Sequence, residues 1–241
     1  MKIYSKTDVG KVRTVNQDSY FAGGIGGNAV FAVVCDGMGG ANAGNVASEN
    51  AVKSISEFVI RSYRDGMTDE EIEKTVKNAV VSANIELYDM SVSDKALNGM
   101  GTTAVLAFVR GKAAVIAHVG DSRIYLVNDN IKQLTRDHSV VQSLIESGKI
   151  TPEDAKVHPR KNVITRAVGA EENVAVDSAV LEISENDRLL LCTDGLTNYL
   201  DDGEILNTVK QTAPADVPDS LIFKANANGG GDNITVVMIT G

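Results

Sequence analysis

Two stretches of this chain are nearly unbroken apolar runs, and both lead into the same dipeptide. Val30-Phe31-Ala32-Val33-Val34-Cys35 runs into Asp36-Gly37, and Leu189-Leu190-Leu191-Cys192 reaches Asp194-Gly195 after one threonine. Runs this short and this apolar read as buried strands. A carboxylate at the edge of such a strand is costly to desolvate unless something pairs with it. A third acid, Asp232, stands just before the strand Ile234-Thr235-Val236-Val237, and Asp121 occupies a turn, Gly120-Asp121-Ser122, between two strands. Asp-Gly and Gly-Asp are common turn formers, which accounts for any one of these acids taken alone. It does not account for their company. Few Lys or Arg stand beside them, so carboxylates gathered at one sheet margin would repel unless a divalent cation sat among them. Oxygen-only ligands suit hard ions such as Mg²⁺ or Mn²⁺ rather than zinc or copper.

The rest of the chain frames these acids. Residues 2–34 alternate short apolar runs with turns rich in Gly and Asn, which predicts strands. Apolar residues at helical spacing from Ala43 to about Tyr63, and again from Ile72 to Leu87, predict two long amphipathic helices. Between Thr102 and Leu134 three short extended runs predict an antiparallel meander with tight turns. Residues 139–162 hold a short helix (Val140 to Glu146), a stop at Gly148 and a second helix start at Thr151-Pro152-Glu153, an excursion from the sheets. Strands resume from Val174 to Leu191, residues 202–227 predict two helices broken near Pro214 and Pro218, and Asn233 to Thr240 predicts a last strand. This order suits antiparallel sheets covered by helices, an α+β fold, better than alternating βαβ units.

With 241 residues and 43% hydrophobic content the chain can bury a large core. Its net charge of −9 and the lack of Lys/Arg clusters argue against nucleic-acid or anionic-membrane surfaces. No stretch reaches the roughly 20 apolar residues of a membrane helix, and the beginning has no apolar signal core, so the expected location is cytoplasmic. Cys35 and Cys192, each inside an apolar run, are expected as buried free thiols.

Eight short strings, in order, resemble a known family. They are Arg13-Thr14-Val15-Asn16-Gln17-Asp18, Asp36-Gly37-Met38-Gly39-Gly40, Gly101-Thr102-Thr103 and His118-Val119-Gly120-Asp121-Ser122-Arg123. Then follow Leu134-Thr135-Arg136-Asp137-His138-Ser139, Thr165-Arg166-Ala167-Val168-Gly169, Cys192-Thr193-Asp194-Gly195-Leu196 and Asp232-Asn233-Ile234-Thr235. Together they are similar to the metal-dependent protein phosphatases of the protein phosphatase 2C type, above all the compact bacterial members. Each string is weak alone; eight in the family's order are specific.

The resemblance implies a four-layer α/β/β/α sandwich, two packed antiparallel β-sheets flanked by helices, with residues 1–241 forming a single catalytic domain and 139–162 a mobile flap beside the site. It implies hydrolysis of phosphoserine and phosphothreonine in proteins by a hydroxide bridging two metal ions, Mn²⁺ or Mg²⁺, with a third, weaker site beside them. Asp36 would bridge the pair, Gly37 would lend its carbonyl to one ion with Asp18 near it, and Asp194 and Asp232 would hold the other. Asp121 with Asp194 would hold the third, and Arg13 would grip the substrate phosphate. The implied partners are phosphorylated proteins, a serine/threonine kinase and its substrates, and the protein is expected to be a monomer. Met38 departs from the many eukaryotic relatives that carry histidine there, and a thioether donates no proton. His118, His138 and His158 are given no role in proton transfer; His118 reads as a satisfied core residue and His138 as part of a helix start. Two rival readings are a binding scaffold that keeps the architecture without turnover, against which the complete set Asp18, Asp36, Asp194 and Asp232 argues, and a phosphatase of small phosphate esters.

Overall fold

Strands β1 (Lys2–Asp8), β2 (Asp18–Gly26) and β3 (Ala29–Met38) lead into the long helices α1 (Gly40–Ser62) and α2 (Asp69–Ser93) in the computed structural model. Strands β4 (Gly101–Thr102), β5 (Ala104–Arg110), β6 (Ala113–Val119), β7 (Arg123–Val127) and β8 (Ile131–Gln133) follow, then the short helices α3 (Val140–Glu146) and α4 (Pro152–Val157). After β9 (Asp177–Glu182) and β10 (Arg188–Cys192) come α5 (Asp194–Thr197), α6 (Asp202–Gln211), α7 (Val217–Ala227) and β11 (Ile234–Thr240). The structure describes the backbone throughout and every side chain except those of Gly40, Ala41 and Asn42.

The period of two within each apolar run decides the layers. Val30, Ala32 and Val34 of β3 point one way and meet Ile124, Leu189, Leu191, Val237 and Ile239 of the opposing sheet. Phe31, Val33 and Cys35 point the other way, under Ile55 and Val59 of α1 and Val76, Val80 and Leu87 of α2. Across the sandwich, Tyr125, Leu190, Cys192, Val236 and Met238 turn outward onto α6 and α7. Two antiparallel sheets result, ordered β1-β11-β10-β7-β8 and β2-β3-β5-β6-β9, with β4 pairing β3. Helices cover both outer faces, as the sequence predicts. The two cysteines are buried and free.

Three local expectations change. Asp36 lies inside β3 rather than beyond its end, because the strand continues through Gly37 and Met38 to pair with β4. Gly120-Asp121-Ser122 is not a hairpin turn: β6 pairs with β5 and β9, whereas β7 pairs with β10 and β8, so these three residues cross between sheets. Gly120 turns that corner at φ +104°, beside Thr103. Pro218 lies in the first turn of α7, where proline is tolerated, so the break falls at Pro214.

The inter-sheet layer carries a stability prediction. Leu191→Ala, at a fully buried position, lowers unfolding free energy in urea by about 2–5 kcal/mol. Phe223→Ala, at a side chain 74% exposed, stays within about 0.5 kcal/mol of the parent. Equal effects would contradict the layering.

Candidate metal centre

The β2–β3 ladder sets Asp18 directly opposite Asp36. Two like charges in that relation destabilise a sheet. From the other sheet, Asp194 follows β10 as the first residue of α5, and Asp232 stands two residues before β11. Asp121 arrives on the crossover between the sheets. Asp36, Asp121, Asp194 and Asp232 line one cleft of about 590 Å³, together with Arg13, Gly37 and Met38, while Asp18 is buried at 9% exposure. All the predicted residues except Asp18 therefore line one cleft, and Asp18 feels the charges of Asp36, Asp194 and Asp232.

Hydroxyls and amides hold these acids in place. Thr193 and Thr235 both donate to Asp18 Oδ2, at 2.9 and 2.7 Å. The Asp36 amide donates to Thr103 Oγ1 at 2.9 Å, and Asn198 donates to Asp194 Oδ2 at 2.9 Å. Asn233 ties the loops together, accepting from the Gln17 amide at 2.7 Å and donating to the carbonyls of Val9 and Val15. Sequence reasoning assigned no role to Thr103, Thr193, Asn198, Thr235 or Asn233. The signal for four of them was their place inside the family-like strings.

The glycines of the two Asp-Gly steps serve close approach rather than turns, since neither has a positive φ. A Cβ on Gly37 would collide with the Gly44 carbonyl of α1, and one on Gly195 would collide with the Asn233 carbonyl beside Asp232. Glycine at these positions lets the backbone carrying each acid close onto its neighbour.

Electrostatics fit a divalent cation. Burial, then the charge of Asp18 and Asp194, pushes Asp36 well above the usual carboxylate range. Burial raises Asp18 to about 7 despite its two hydroxyl donors, and burial followed by Asp194 raises Asp121 to about 8. Asp194 is likewise raised, by burial and then by Asp232. The Asp18 Oδ1 and Asp194 Oδ1 atoms are buried with no hydrogen-bond partner. Buried acceptors of this kind call for a positive partner. Arg13 supplies one charge, donating to Asp232 at 3.0 Å. Carboxylates and a backbone carbonyl are the donor set of Mg²⁺ or Mn²⁺.

His118, His138 and Asp177 form a different cluster, with ligand atoms within 4.8 Å of one another. Here the fit to a metal fails. The two rings stack 15° from parallel, His118 Nε2 and both nitrogens of His138 are hydrogen-bonded, and Arg166 already pairs with Asp177 at 2.7 Å. His118 is the satisfied core residue expected, and neither ring lines the cleft.

A family model described as Protein phosphatase 2C matches residues 10–215. The serine/threonine phosphatase stp of Listeria innocua is 43% identical over 97% of this chain and 93% of its own length. The crystal structure of the serine/threonine phosphatase Stp1 from Staphylococcus aureus superposes with a TM-score of 0.92 at 37% identity, covering 100% of this chain and 95% of that one. The catalytic domain of the serine/threonine protein phosphatase PstP, solved in complex with two manganese ions, superposes with a TM-score of 0.85 at 32% identity over 98% of this chain and 96% of its own.

A pH prediction follows from the raised acids. An unfolded aspartate titrates near 3.9, whereas Asp18 is raised to about 7 and Asp121 to about 8 in the fold. Between those limits the folded chain keeps protons that the unfolded chain has released, so stability falls as pH rises. In chelator, Tm therefore drops from about pH 4 to pH 8, and Asp36→Asn raises it at pH 8 by about 3 °C or more. A flat profile, or a less stable Asn variant, would contradict the repulsion described here.

Proposed function

The chain belongs to the protein phosphatase 2C family of metal-dependent serine/threonine phosphatases, and from that membership we propose that it removes phosphate from phosphoserine and phosphothreonine in proteins, opposing a serine/threonine kinase. The observation that carries this reading is the convergence of Asp36, Asp121, Asp194 and Asp232, from both sheets and their crossover, on one cleft beside Arg13.

In this reading Asp36 would hold both of two core ions, Mn²⁺ or Mg²⁺, with Asp194 and Asp232 completing one site, the Gly37 carbonyl and Asp18 serving the other, and Asp121 with Asp194 forming a third, weaker one. Ions held there would supply Lewis-acid activation of water for attack at phosphorus. The chain's own residues then bind and orient. Arg13 presents its planar guanidinium to two phosphate oxygens, exchanging Asp232 for substrate, and stabilises the charge that grows on the equatorial oxygens. Thr193 and Thr235 fix Asp18, and Thr103 fixes the backbone of Asp36, so the donors are in place before substrate arrives. Met38 lines the cleft but provides no proton for the leaving alkoxide.

Residues 1–241 act as one catalytic domain, with residues 139–162 as the flap: Asn162 lines the cleft, and α3 and α4 line an adjoining one that shares Asp121 and Asp194. We take the protein to be a cytoplasmic monomer. No described helix is long and apolar enough to cross a membrane, and the two free thiols suit a reducing compartment.

Hydrolysis of a phosphothreonine peptide tests the reading. Activity requires Mn²⁺ or Mg²⁺, and Asp36→Asn or Asp194→Asn lowers kcat by about 10³-fold, the several kcal/mol that such ions contribute. Arg13→Ala lowers kcat/KM by about 10²-fold. Activity that survives both aspartate substitutions would refute the site. Exchanging residues 139–162 for another member's segment changes preference among peptides more than turnover of a small aryl phosphate; equal effects would refute the flap assignment.

A further inference from the structure

Asp121 stands outside any strand ladder, in the three residues that cross from β6 to β7. Two grips hold that crossover. On one flank the Ser122 and Thr103 hydroxyls share a hydrogen bond of 2.7 Å. On the other, the Gly120 amide donates to His138 Nδ1 at 3.0 Å, and the His138 amide donates back to the Gly120 carbonyl at 2.9 Å. We propose that His138 is a positioning residue for phosphate hydrolysis: its Nδ1 lone pair splints the Asp121 crossover to the root of the segment that begins at Ser139. The functional half of this inference rests on Asp121 being a cation ligand.

The surroundings fix both the tautomer and the ring plane. Because Nδ1 accepts from Gly120, the ring proton sits on Nε2, which donates to Asp177 Oδ2 at 3.2 Å. Asp177 is held in turn by Arg166 at 2.7 Å, and Arg166 is anchored on the Ala175 carbonyl. His118 stacks on the ring at 4.7 Å, itself bonded to the Arg136 backbone. This chain of contacts orients an imidazole that is only 4% exposed, as outer partners orient metal ligands elsewhere. Without the Nδ1 acceptor the buried Gly120 amide would be left unpaired, the costly case for a backbone donor.

The backbone around the same residue also pairs with residues 163–165. Thr165 donates to the His138 carbonyl at 2.8 Å, Ser139 bridges Ile164, and Val140 donates to Val163 at 2.9 Å. Ile164 and Asn162 line the same cleft as Asp121. One histidine thus ties the crossover that carries Asp121 to a second segment that lines the cleft.

Two isosteres separate this role from simple packing. An Asn at position 138 places its Oδ1 where Nδ1 stood and keeps the acceptor for Gly120, whereas Gln reaches the Nε2 position and does not. Backbone amide exchange of Gly120 in chelator and calorimetric Mn²⁺ titration are measured on the native chain, His138→Asn and His138→Gln. We expect Gly120 exchange and the weakest Mn²⁺ affinity of His138→Asn to stay within about 3-fold of native, and both to worsen by about 10-fold or more in His138→Gln, while the tight Mn²⁺ sites are unchanged. Equal behaviour of the two variants, or a His138→Asn chain that does not fold, overturns the proposal. If Asp121→Asn leaves every Mn²⁺ affinity untouched, the ligand reading of Asp121 fails, and Gly120 exchange alone then decides the splint.

Discussion

Carboxylates crowded at one end of a two-sheet sandwich repel each other, and much of the local structure answers that repulsion. Asp18 faces Asp36 across a ladder, and Asp194 and Asp232 approach from the other sheet. Nothing in the fold alone rewards this arrangement: burial raises the pKa of Asp18, Asp36, Asp121 and Asp194. The threonine hydroxyls around Asp18 offset part of its burial, and the glycines let the backbones carrying Asp36 and Asp194 close onto their neighbours. The divalent cations proposed here would offset that repulsion, which would link metal binding to folding.

Antiparallel sheets covered by helices were legible from the order of the elements, and the long helices from apolar residues at helical spacing, whereas the four layers came with the family resemblance, because an unbroken apolar run does not say what covers each of its faces. The Thr151-Pro152-Glu153 start marked α4, and the structure adds that Thr68 and Thr151 each form the reciprocal bond with the third residue of their helix. The crossing at Gly120-Asp121-Ser122 was not legible. A Gly-Asp-Ser step between two strands reads locally as a hairpin, and only the long-range pairing of β7 with β10 reveals a change of sheet. Asp36, Asp121, Asp194 and Asp232 could be picked out from their places beside strands, but Asp18 and the roles of all five came from the family resemblance, since residues as far apart as Asp18 and Asp232 meet through topology. The supporting hydroxyls are harder still to find, because a threonine in a strand is ordinary until its partner is known.

The cleft is asymmetric in its supports. Asp18, Asp36, Asp194 and Asp232 are anchored by sheet ladders or by residues adjoining them. Asp121 hangs on a crossover whose neighbours include the start of the 139–164 segment. Strand pairing thus places Asp36 opposite Asp18, while Asp121 depends on the side-chain hydrogen bonds that Thr103 and His138 make to Ser122 and Gly120.

The account turns on buried acids that exchange protons for cations. Calorimetric titration of Mn²⁺ into chelator-treated protein at pH 7.5, repeated in buffers of different ionisation enthalpy, counts ions and released protons together. Two tightly bound ions per chain with proton release, both lost in Asp36→Asn, is the result predicted here. Tight binding without proton release, or binding unchanged by that substitution, would contradict it.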